Sequence, residues 1–186
     1  MADILDLPLA MFTELYWKFR VPYDAGTLAP EAYWNTVARS ASRALAANQT
    51  SALIEVDSRS WSHPAPTTPQ WARDLHAAGL QTAILSNMPA PVRDYVLRCS
   101  WLPRFNVRVF SCDIGICKPA DEMYRACLSA LNAAPADVLF LDDRAPNVRA
   151  AEALGLHALL FTDPDGAARE IERRFTLPLT LDPNAE

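Results

Sequence analysis

Two adjacent acids, Asp142 and Asp143, follow the short apolar run Val138 to Leu141, and a helical stretch comes directly after them. A continuous apolar run of this length predicts a strand that is buried on both faces. The two carboxylates then lie at the carboxyl end of a strand, which is where open parallel sheets bind ligands. Neighbouring carboxylates at the edge of an apolar layer repel each other, so they favour a bound divalent cation. On this run alone, the alternative that Asp143 only caps the next helix stays open.

Polar residues also follow two other predicted strands. The strand Gln81 to Leu85 ends in Ser86 and Asn87, which can donate hydrogen bonds to an anion, although a serine there is also a common helix cap. The strand Val107 to Phe110 leads to Lys118, which is either a cation of the same site or a solvated surface residue. Taken jointly, a donor, a cation and two carboxylates at neighbouring strand ends predict a site for a phosphate-like anion and a hard metal such as Mg²⁺.

Two regions with different hydrophobic periods must position these residues. Through about Pro66 the apolar residues recur at three- and four-residue spacing, which predicts a small all-helical module. Its helices are predicted from Met11 to Arg20, from Pro30 onward, and from a cap at Thr50. Five aromatic residues at helical spacing are interpreted as core, and a substrate-facing wall is the alternative. These residues are Tyr16, Trp17, Tyr33, Trp34 and Trp61.

From Thr68 onward, short apolar strands alternate with helices, which is typical of a parallel sheet built from β-α-β units. The predicted helices of this region span 68–78, 91–99, 120–131 and 148–154, and the predicted strands span 81–85, 107–110, 138–141 and 157–161. We therefore predict a helical subdomain with its linker over residues 1–66 and an α/β core over residues 67–186. The linker is expected between Thr50 and Pro69, where serine and proline residues cluster.

Composition narrows the classes of function. The chain has 186 residues, of which 51% are hydrophobic, so we expect one folded globular unit. Its net charge of −5, without a cluster of lysine and arginine, argues against nucleic acid or an anionic membrane as a partner. The sequence shows neither a membrane-spanning apolar stretch nor a signal peptide, so we expect a cytoplasmic protein. The four cysteines lack the paired spacing of a metal site and are assigned no role.

The motifs, taken in order, resemble the haloacid dehalogenase-like hydrolase superfamily, chiefly its branch with a helical cap. The similarity is greatest to the phosphatase-type amino-terminal domains of some epoxide hydrolases. Residues 84–89 resemble the second motif of that family, residues 115–124 its third, and residues 140–155 its fourth, while residues 16–34 resemble its cap. The resemblance covers essentially the whole chain. It implies a Rossmann-like core with a parallel sheet, an α-helical cap, and Mg²⁺-dependent hydrolysis of a small phosphorylated molecule.

The resemblance also implies roles for the residues that bind phosphate. Ser86 would donate a hydrogen bond to the transferring phosphoryl group, and Asn87 would lie beside it at the mouth that faces the cap. Lys118 would neutralise charge on the phosphoryl group and on the attacking carboxylate.

For the metal, the resemblance implies that Asp143 is a direct Mg²⁺ ligand and that Asp142 supports the metal shell. Asn147 stands where the family often has another acid of that shell.

The first motif of the family is an aspartate nucleophile that ends the first strand and precedes the cap, whereas this sequence begins at the cap. Asp3 and Asp6 are the early candidates, and Pro8 stands where a carboxylate or glycine is usual after the nucleophile. Asp182 is a candidate only in a permuted topology. The strand of this motif lies in the middle of the family's sheet, so its absence predicts a gap between the strands that carry the second and fourth motifs.

Four alternatives are compatible with this gap. Either the two strands close up, or a terminal segment inserts between them, or a second chain donates a strand in a homodimer, or the natural product is longer than the sequence given. We therefore expect a hydrolase of this family, a phosphatase that works through an aspartyl-phosphate in its complete form, with poor or no turnover by the chain as written. The alternatives are a catalytically silent relative that binds an anion or a partner protein, and a haloacid dehalogenase-type hydrolase.

Overall fold

The computed structural model describes residues 1–64, 67–102, 105–175 and 177. In chain order the helices are α1 (Ala2–Leu5), α2 (Leu9–Lys18), α3 (Arg20–Asp24), α4 (Pro30–Ser40), α5 (Ala47–Ser60), α6 (Thr67–Ala77), α7 (Ala90–Val96), α8 (Ser111–Ile114), α9 (Asp121–Leu131), α10 (Ala145–Ala153) and α11 (Pro164–Arg174). The strands are β1 (Ala83–Ser86), β2 (Val107–Phe110), β3 (Leu139–Asp142) and β4 (His157–Leu160).

Contacts divide the chain into two compact units that interleave along the sequence. The first unit comprises Met1–His63, Ser86–Cys99 and Phe110–Cys117. The second comprises Pro64–Leu85, Ser100–Val109 and the described part of Lys118–Glu186. The division into a helical cap over residues 1–66 and a core over residues 67–186 stays a prediction.

The first unit is helical because its apolar residues recur at helical spacing and bury one face of each helix. Its core consists of Leu5, Phe12, Leu15, Tyr16, Tyr23, Tyr33, Trp34, Val37, Ala38 and Leu53. The interpretation as core is therefore confirmed for Tyr16, Tyr33 and Trp34. It is wrong for Trp17 and Trp61, which are 48% and 49% exposed and pack edge to face against each other.

A buried ion pair joins three helices of this unit. The Arg20 guanidinium donates to the carboxylate of Asp24 at 2.7 Å and to that of Asp57 at 3.1 Å, and the Tyr16 hydroxyl donates to Asp57 at 2.7 Å. Although burial opposes its charge, Asp57 and Asp24 raise the pKa of Arg20, while burial and Asp57 raise the pKa of Tyr16. Arg20 therefore stays charged, and the carboxylates and the phenol that surround it fix α2, α3 and α5 together.

The second unit contains the strands, apart from Ser86 and Phe110, the last residues of β1 and β2. Strand β3 pairs in parallel with β4, from Leu139 opposite His157 to Asp142 opposite Leu160. One cluster of its core contains Tyr124, Phe140, Val148, Ala151, Leu156 and Ala158, and a second contains Trp71, Leu159, Ala167, Ala168 and Ile171. The predicted α/β class with a parallel ladder is confirmed.

The strands do not form one continuous sheet. Within the described ranges, β1 pairs with β2 and β3 pairs with β4, so there are two sheets of two strands each. This separation agrees with the gap that the sequence predicts between the strands of the second and fourth motifs. Among the residues that can be placed, no terminal segment inserts to join the two sheets.

The predicted element boundaries differ from the observed ones in three informative places. Strand β3 begins and ends one residue later than predicted, so Asp142 is its last residue rather than the first residue beyond it. Helix α5 begins at Ala47, where the Gln49 side chain accepts a hydrogen bond from the Ala46 N–H, so the predicted cap at Thr50 is wrong. The segment Thr50 to Pro69, predicted as a linker, is helical except between α5 and α6, and residues 65 and 66 lie outside the described residues.

Three short helices, α1, α3 and α8, and the longer α11 were not predicted, although Asp163 and Pro164 give α11 a recognisable start. The Asp163 carboxylate accepts a hydrogen bond from the Gly166 N–H, and Pro164 takes the first helical position. Across the described part of the chain, every helix is too short or too polar to cross a membrane.

Candidate functional site

A buried ion pair lies at the carboxyl end of β3. The Lys118 Nζ is 2.6 Å from Oδ2 of Asp142, and the two side chains are 9% and 5% exposed. The same ammonium donates to the backbone carbonyl of Leu85 in β1 at 2.7 Å. Lys118 therefore connects the end of β3 to the strand of the predicted second motif, and the interpretation of Lys118 as a solvated surface residue is wrong.

The second oxygen of Asp142 shapes the turn from β3 to α10. Its Oδ1 accepts hydrogen bonds from the Arg144 N–H and from the Asn147 side-chain amide, both at 2.9 Å. Helix α10 begins at Ala145 and has no side-chain cap, so the alternative that Asp143 caps this helix is wrong. Asp143 is exposed beside the buried pair. The two acids thus have different surroundings, and Asp142 is the counter-ion of Lys118.

Two aromatic residues that sequence reasoning left without a role support this arrangement. The Phe140 ring centroid lies 5.3 Å from Nζ of Lys118, and the Tyr124 ring meets it edge to face with centroids 5.5 Å apart. The Tyr124 hydroxyl donates to the Asn147 carbonyl at 2.8 Å. Burial, and then Asp142, raises the pKa of Tyr124 to about 12, so this hydroxyl keeps its proton at neutral pH.

The sequence contained a signal for this environment. Lys18 and Lys118 are the two lysines of a chain whose lysines and arginines total 17, so almost all of its cations are arginines. Phe140 and Asp142 lie two residues apart in a predicted strand, which places both side chains on the same face. A rare lysine, together with an aromatic and an acid on one strand face, indicates a fixed ammonium.

The predicted phosphate donors belong to the first unit. Ser86 ends β1 and is half-buried, as is Asn87 after it. Helix α7 begins at Ala90 without a side-chain cap, so the alternative that Ser86 caps it is wrong. The chain beyond Ser86 is anchored where the Met88 N–H donates to the Ser111 Oγ at 2.9 Å.

The structure therefore brings Asp142 into direct contact with both Lys118 and Asn147, and Asp143 follows Asp142 in the chain. Their catalytic and ligand roles, and those of Ser86 and Asn87, stay predictions.

The donor set can be compared with what Mg²⁺ requires. Both carboxylate oxygens of Asp142 already accept hydrogen bonds, whereas Asp143 offers an exposed carboxylate. Among the described residues, no group of three or more histidine, cysteine, aspartate or glutamate side chains is placed to hold a metal ion. Mg²⁺ usually keeps several waters and binds through one or two carboxylates together with substrate phosphates. Asp143 fits that mode, with Asn147 as the nearby amide.

The candidates for a nucleophile do not follow a strand. Asp6 ends helix α1 in a left-handed backbone conformation, and its side chain is 93% exposed and paired with Arg43. Asp3 lies within the same helix and is exposed. Neither residue has the strand-end position that the first motif requires, and Asp182 lies outside the described residues.

Comparison with known proteins identifies the family. A family model described as haloacid dehalogenase-like hydrolase matches residues 12–155. The chain belongs to the haloacid dehalogenase-like hydrolases. The resemblance drawn from its motifs is therefore confirmed, including the similarity to epoxide hydrolases. The bifunctional epoxide hydrolase 2 of Rattus norvegicus is 31% identical over 127 residues, which are 62% of this chain and 23% of that protein.

Two further proteins that are similar to this chain carry descriptions that concern phosphate. A sesquiterpene phosphatase of Aspergillus oryzae is 28% identical over 102 residues, which are 54% of this chain and 52% of that protein. A Bacteroides thetaiotaomicron enzyme of the same family, solved with magnesium and inorganic phosphate, matches with a TM-score of 0.63 at 14% identity. The match covers 82% of this chain and 86% of that one, and it shows the fold. The chain spans less than a quarter of the first curated relatives that it matches.

Proposed function

We propose that this hydrolase is a Mg²⁺-dependent phosphatase scaffold for small organic phosphate esters, and that the chain as given binds phosphate but turns esters over poorly or not at all. The observation that carries the proposal is the buried Lys118 ammonium, fixed at the carboxyl end of β3 beside the exposed carboxylate of Asp143. The similarity to a sesquiterpene phosphatase and to an enzyme solved with magnesium and phosphate supports it.

The charges of the site favour this chemistry. Lys118 contributes one positive charge, and Asp142 and Asp143 contribute two negative charges, so the three side chains leave an excess of one negative charge. Such an excess attracts a cation to Asp143, and when bound, Mg²⁺ supplies positive charge to phosphoryl oxygens. The low exposure of Lys118 keeps its charge poorly screened, which strengthens its attraction for a phosphate group.

The expectation of poor turnover has a separate basis. Asp142 is the one aspartate within the strands that the structure describes, and its carboxylate is already paired with Lys118. A carboxylate that is held in an ion pair and in two further hydrogen bonds is a weak nucleophile. Asp143, the exposed acid that follows β3, is the proposed Mg²⁺ ligand, so the described strand ends leave no further carboxylate for the covalent step.

The test separates binding from turnover. Titration of the purified chain with inorganic phosphate should show saturable binding that requires Mg²⁺, and an aryl phosphate assay should show little or no release of phenol. Asp143→Asn should weaken Mg²⁺-dependent phosphate binding by about tenfold or more. Glu152→Gln removes the same charge from an exposed position of α10 and should leave the affinity unchanged.

Each contrary result has a definite meaning. Robust turnover that Asp143→Asn abolishes would show an active phosphatase and refute the silent part of the proposal. Absence of Mg²⁺-dependent phosphate binding would refute the proposal as a whole. A parallel assay with a 2-haloacid, followed by halide release, tests the dehalogenase alternative.

A further inference from the structure

We propose that Phe140 is a positioning residue whose ring face holds the Lys118 ammonium in place at the end of β3. The inference rests on the proposed function for its catalytic meaning, since Lys118 is there the cation that meets phosphate. All of the contacts that support it lie within the second unit. In the sequence, Phe140 is an apolar strand residue at the start of the stretch that resembles the fourth motif, and its side chain has no role assigned to it.

The strand period accounts for the contact. Phe140 and Asp142 are two residues apart in β3, so their side chains leave the same face of the strand. Both are buried, and Lys118 lies over that face with its Nζ 2.6 Å from Asp142 Oδ2 and 5.3 Å from the Phe140 ring centroid. A cation within about 6 Å of an aromatic centroid is attracted by the electrons of the ring face, most strongly where water is excluded.

The ring is itself held in place. Tyr124 is fully buried and packs edge to face against Phe140 at an interplanar angle of 84°. Its hydroxyl is tied to the Asn147 carbonyl, so it cannot rotate away without losing a buried hydrogen bond. A long flexible lysine stem therefore meets a ring of fixed orientation. The ring is thus a contact of the ammonium in addition to its hydrogen bonds to Asp142 and to the Leu85 carbonyl.

The composition of the chain makes Lys118 directly observable. An NMR spectrum of the lysine side chains contains two sets of signals, because the sequence has two lysines. We expect the Lys118 Hε protons to be shifted upfield by the ring current of Phe140. Lys18 is exposed and serves as an internal reference, which no variant below should change.

Three variants test the inference. Phe140→Leu removes the ring but keeps an apolar side chain, and it should abolish the upfield shift and weaken Mg²⁺-dependent binding of inorganic phosphate about fivefold to tenfold. Phe140→Tyr restores an aromatic face and should retain both properties. Phe110→Leu is the matched control, because Phe110 is also a buried phenylalanine of a strand. It should lower the thermal midpoint but leave the Lys118 shift and the phosphate affinity unchanged.

The outcomes separate this inference from the proposed function. The inference is overturned if Phe140→Leu leaves the Lys118 shift unchanged, or if Phe110→Leu weakens phosphate binding as much as Phe140→Leu does. If the wild-type chain binds no phosphate but Phe140→Leu alone removes the shift, the proposed function fails, whereas the positioning of Lys118 by Phe140 is supported.

Discussion

Replacement of Asp142 by asparagine tests whether the buried ion pair, rather than the acid pair as a whole, organises the end of β3. The asparagine oxygen can still accept from the Arg144 N–H and the Asn147 amide, which both bond to Oδ1 of the native carboxylate. Its amide nitrogen then faces the Lys118 ammonium in place of Oδ2. In the native chain the Lys118 ammonium donates to Oδ2 of Asp142 at 2.6 Å. In the variant the ammonium faces another N–H donor instead, and it loses its counter-ion.

The magnitude follows from the burial of the pair. The two side chains are 9% and 5% exposed, so water can replace little of the lost interaction. Removal of one partner from a buried ion pair costs about 3–5 kcal/mol, and we expect about 3 kcal/mol here because two of the hydrogen bonds survive. For a chain of this size that corresponds to a fall of about 6–12 °C in the thermal midpoint. Asp143→Asn, at an exposed position, should cost less than about 0.5 kcal/mol.

Urea unfolding followed by circular dichroism measures both variants against the native chain. The two substitutions remove the same charge from neighbouring residues, so net charge cannot explain a difference between them. Lys118→Met should also be strongly destabilising, and the double variant Lys118→Met/Asp142→Asn should lose about 2 kcal/mol less than the sum of the single losses. Equal stability of the Asp142→Asn and Asp143→Asn chains, or strict additivity in the double variant, would refute the reasoning.

Two further predictions concern backbone conformation and pH. Gly26 has a φ of +71° and leaves 3.0 Å between an added Cβ and the Cys112 carbonyl oxygen, whereas Gly79 has a φ of +79° and open space. Gly26→Ala should therefore cost about 2–3 kcal/mol and Gly79→Ala about 1 kcal/mol by urea unfolding, and equal costs would contradict the close contact. The pKa of Tyr124 is raised to about 12 in the folded chain, whereas the ordinary tyrosine pKa of the unfolded chain is about 10. The contribution of Tyr124 to the free energy of unfolding is therefore fully present below about pH 10 and is lost as pH rises towards 12. Burial also raises the pKa values of Tyr16, Tyr23 and Tyr33, so Tyr124→Phe should reduce the alkaline loss of stability only in part. An unchanged slope of stability against pH would show that Tyr124 does not contribute to it.

The sequence predicted the strands themselves better than the contacts at their ends. Four apolar runs identified all four described strands, because the strands of an α/β core are short, largely apolar segments. The boundary of β3 was wrong by one residue, and that residue is Asp142. A strand-end acid has backbone partners on the neighbouring strand and a defined side-chain direction, which no apolar pattern specifies.

The hydrogen-bond partners of Lys118 could not be predicted from the sequence, for a different reason. Asp142 is 24 residues away and Leu85 is 33 residues away, and local propensity contains no information on contacts at that separation. The short helices α1, α3 and α8 were missed because helices of four or five residues depend on tertiary packing rather than on intrinsic propensity.

The choice of lysine at residue 118 follows from the space around it. The chain uses arginine for nearly all of its cations, yet this buried position holds one of its two lysines. A planar guanidinium presents five donors in a rigid fork, whereas an ammonium is compact and has three donors that rotate together about the Cε–Nζ bond. Here the cation donates to a strand carbonyl and to a carboxylate while an aromatic ring lies 5.3 Å from it. The Lys118 side chain is only 9% exposed, so a guanidinium in its place would bring additional donors out of reach of water. Those donors would need buried hydrogen-bond partners. The compact ammonium is therefore the cation that the end of β3 can bury, and its departure from the arginine usage of the chain is itself a mark of the site.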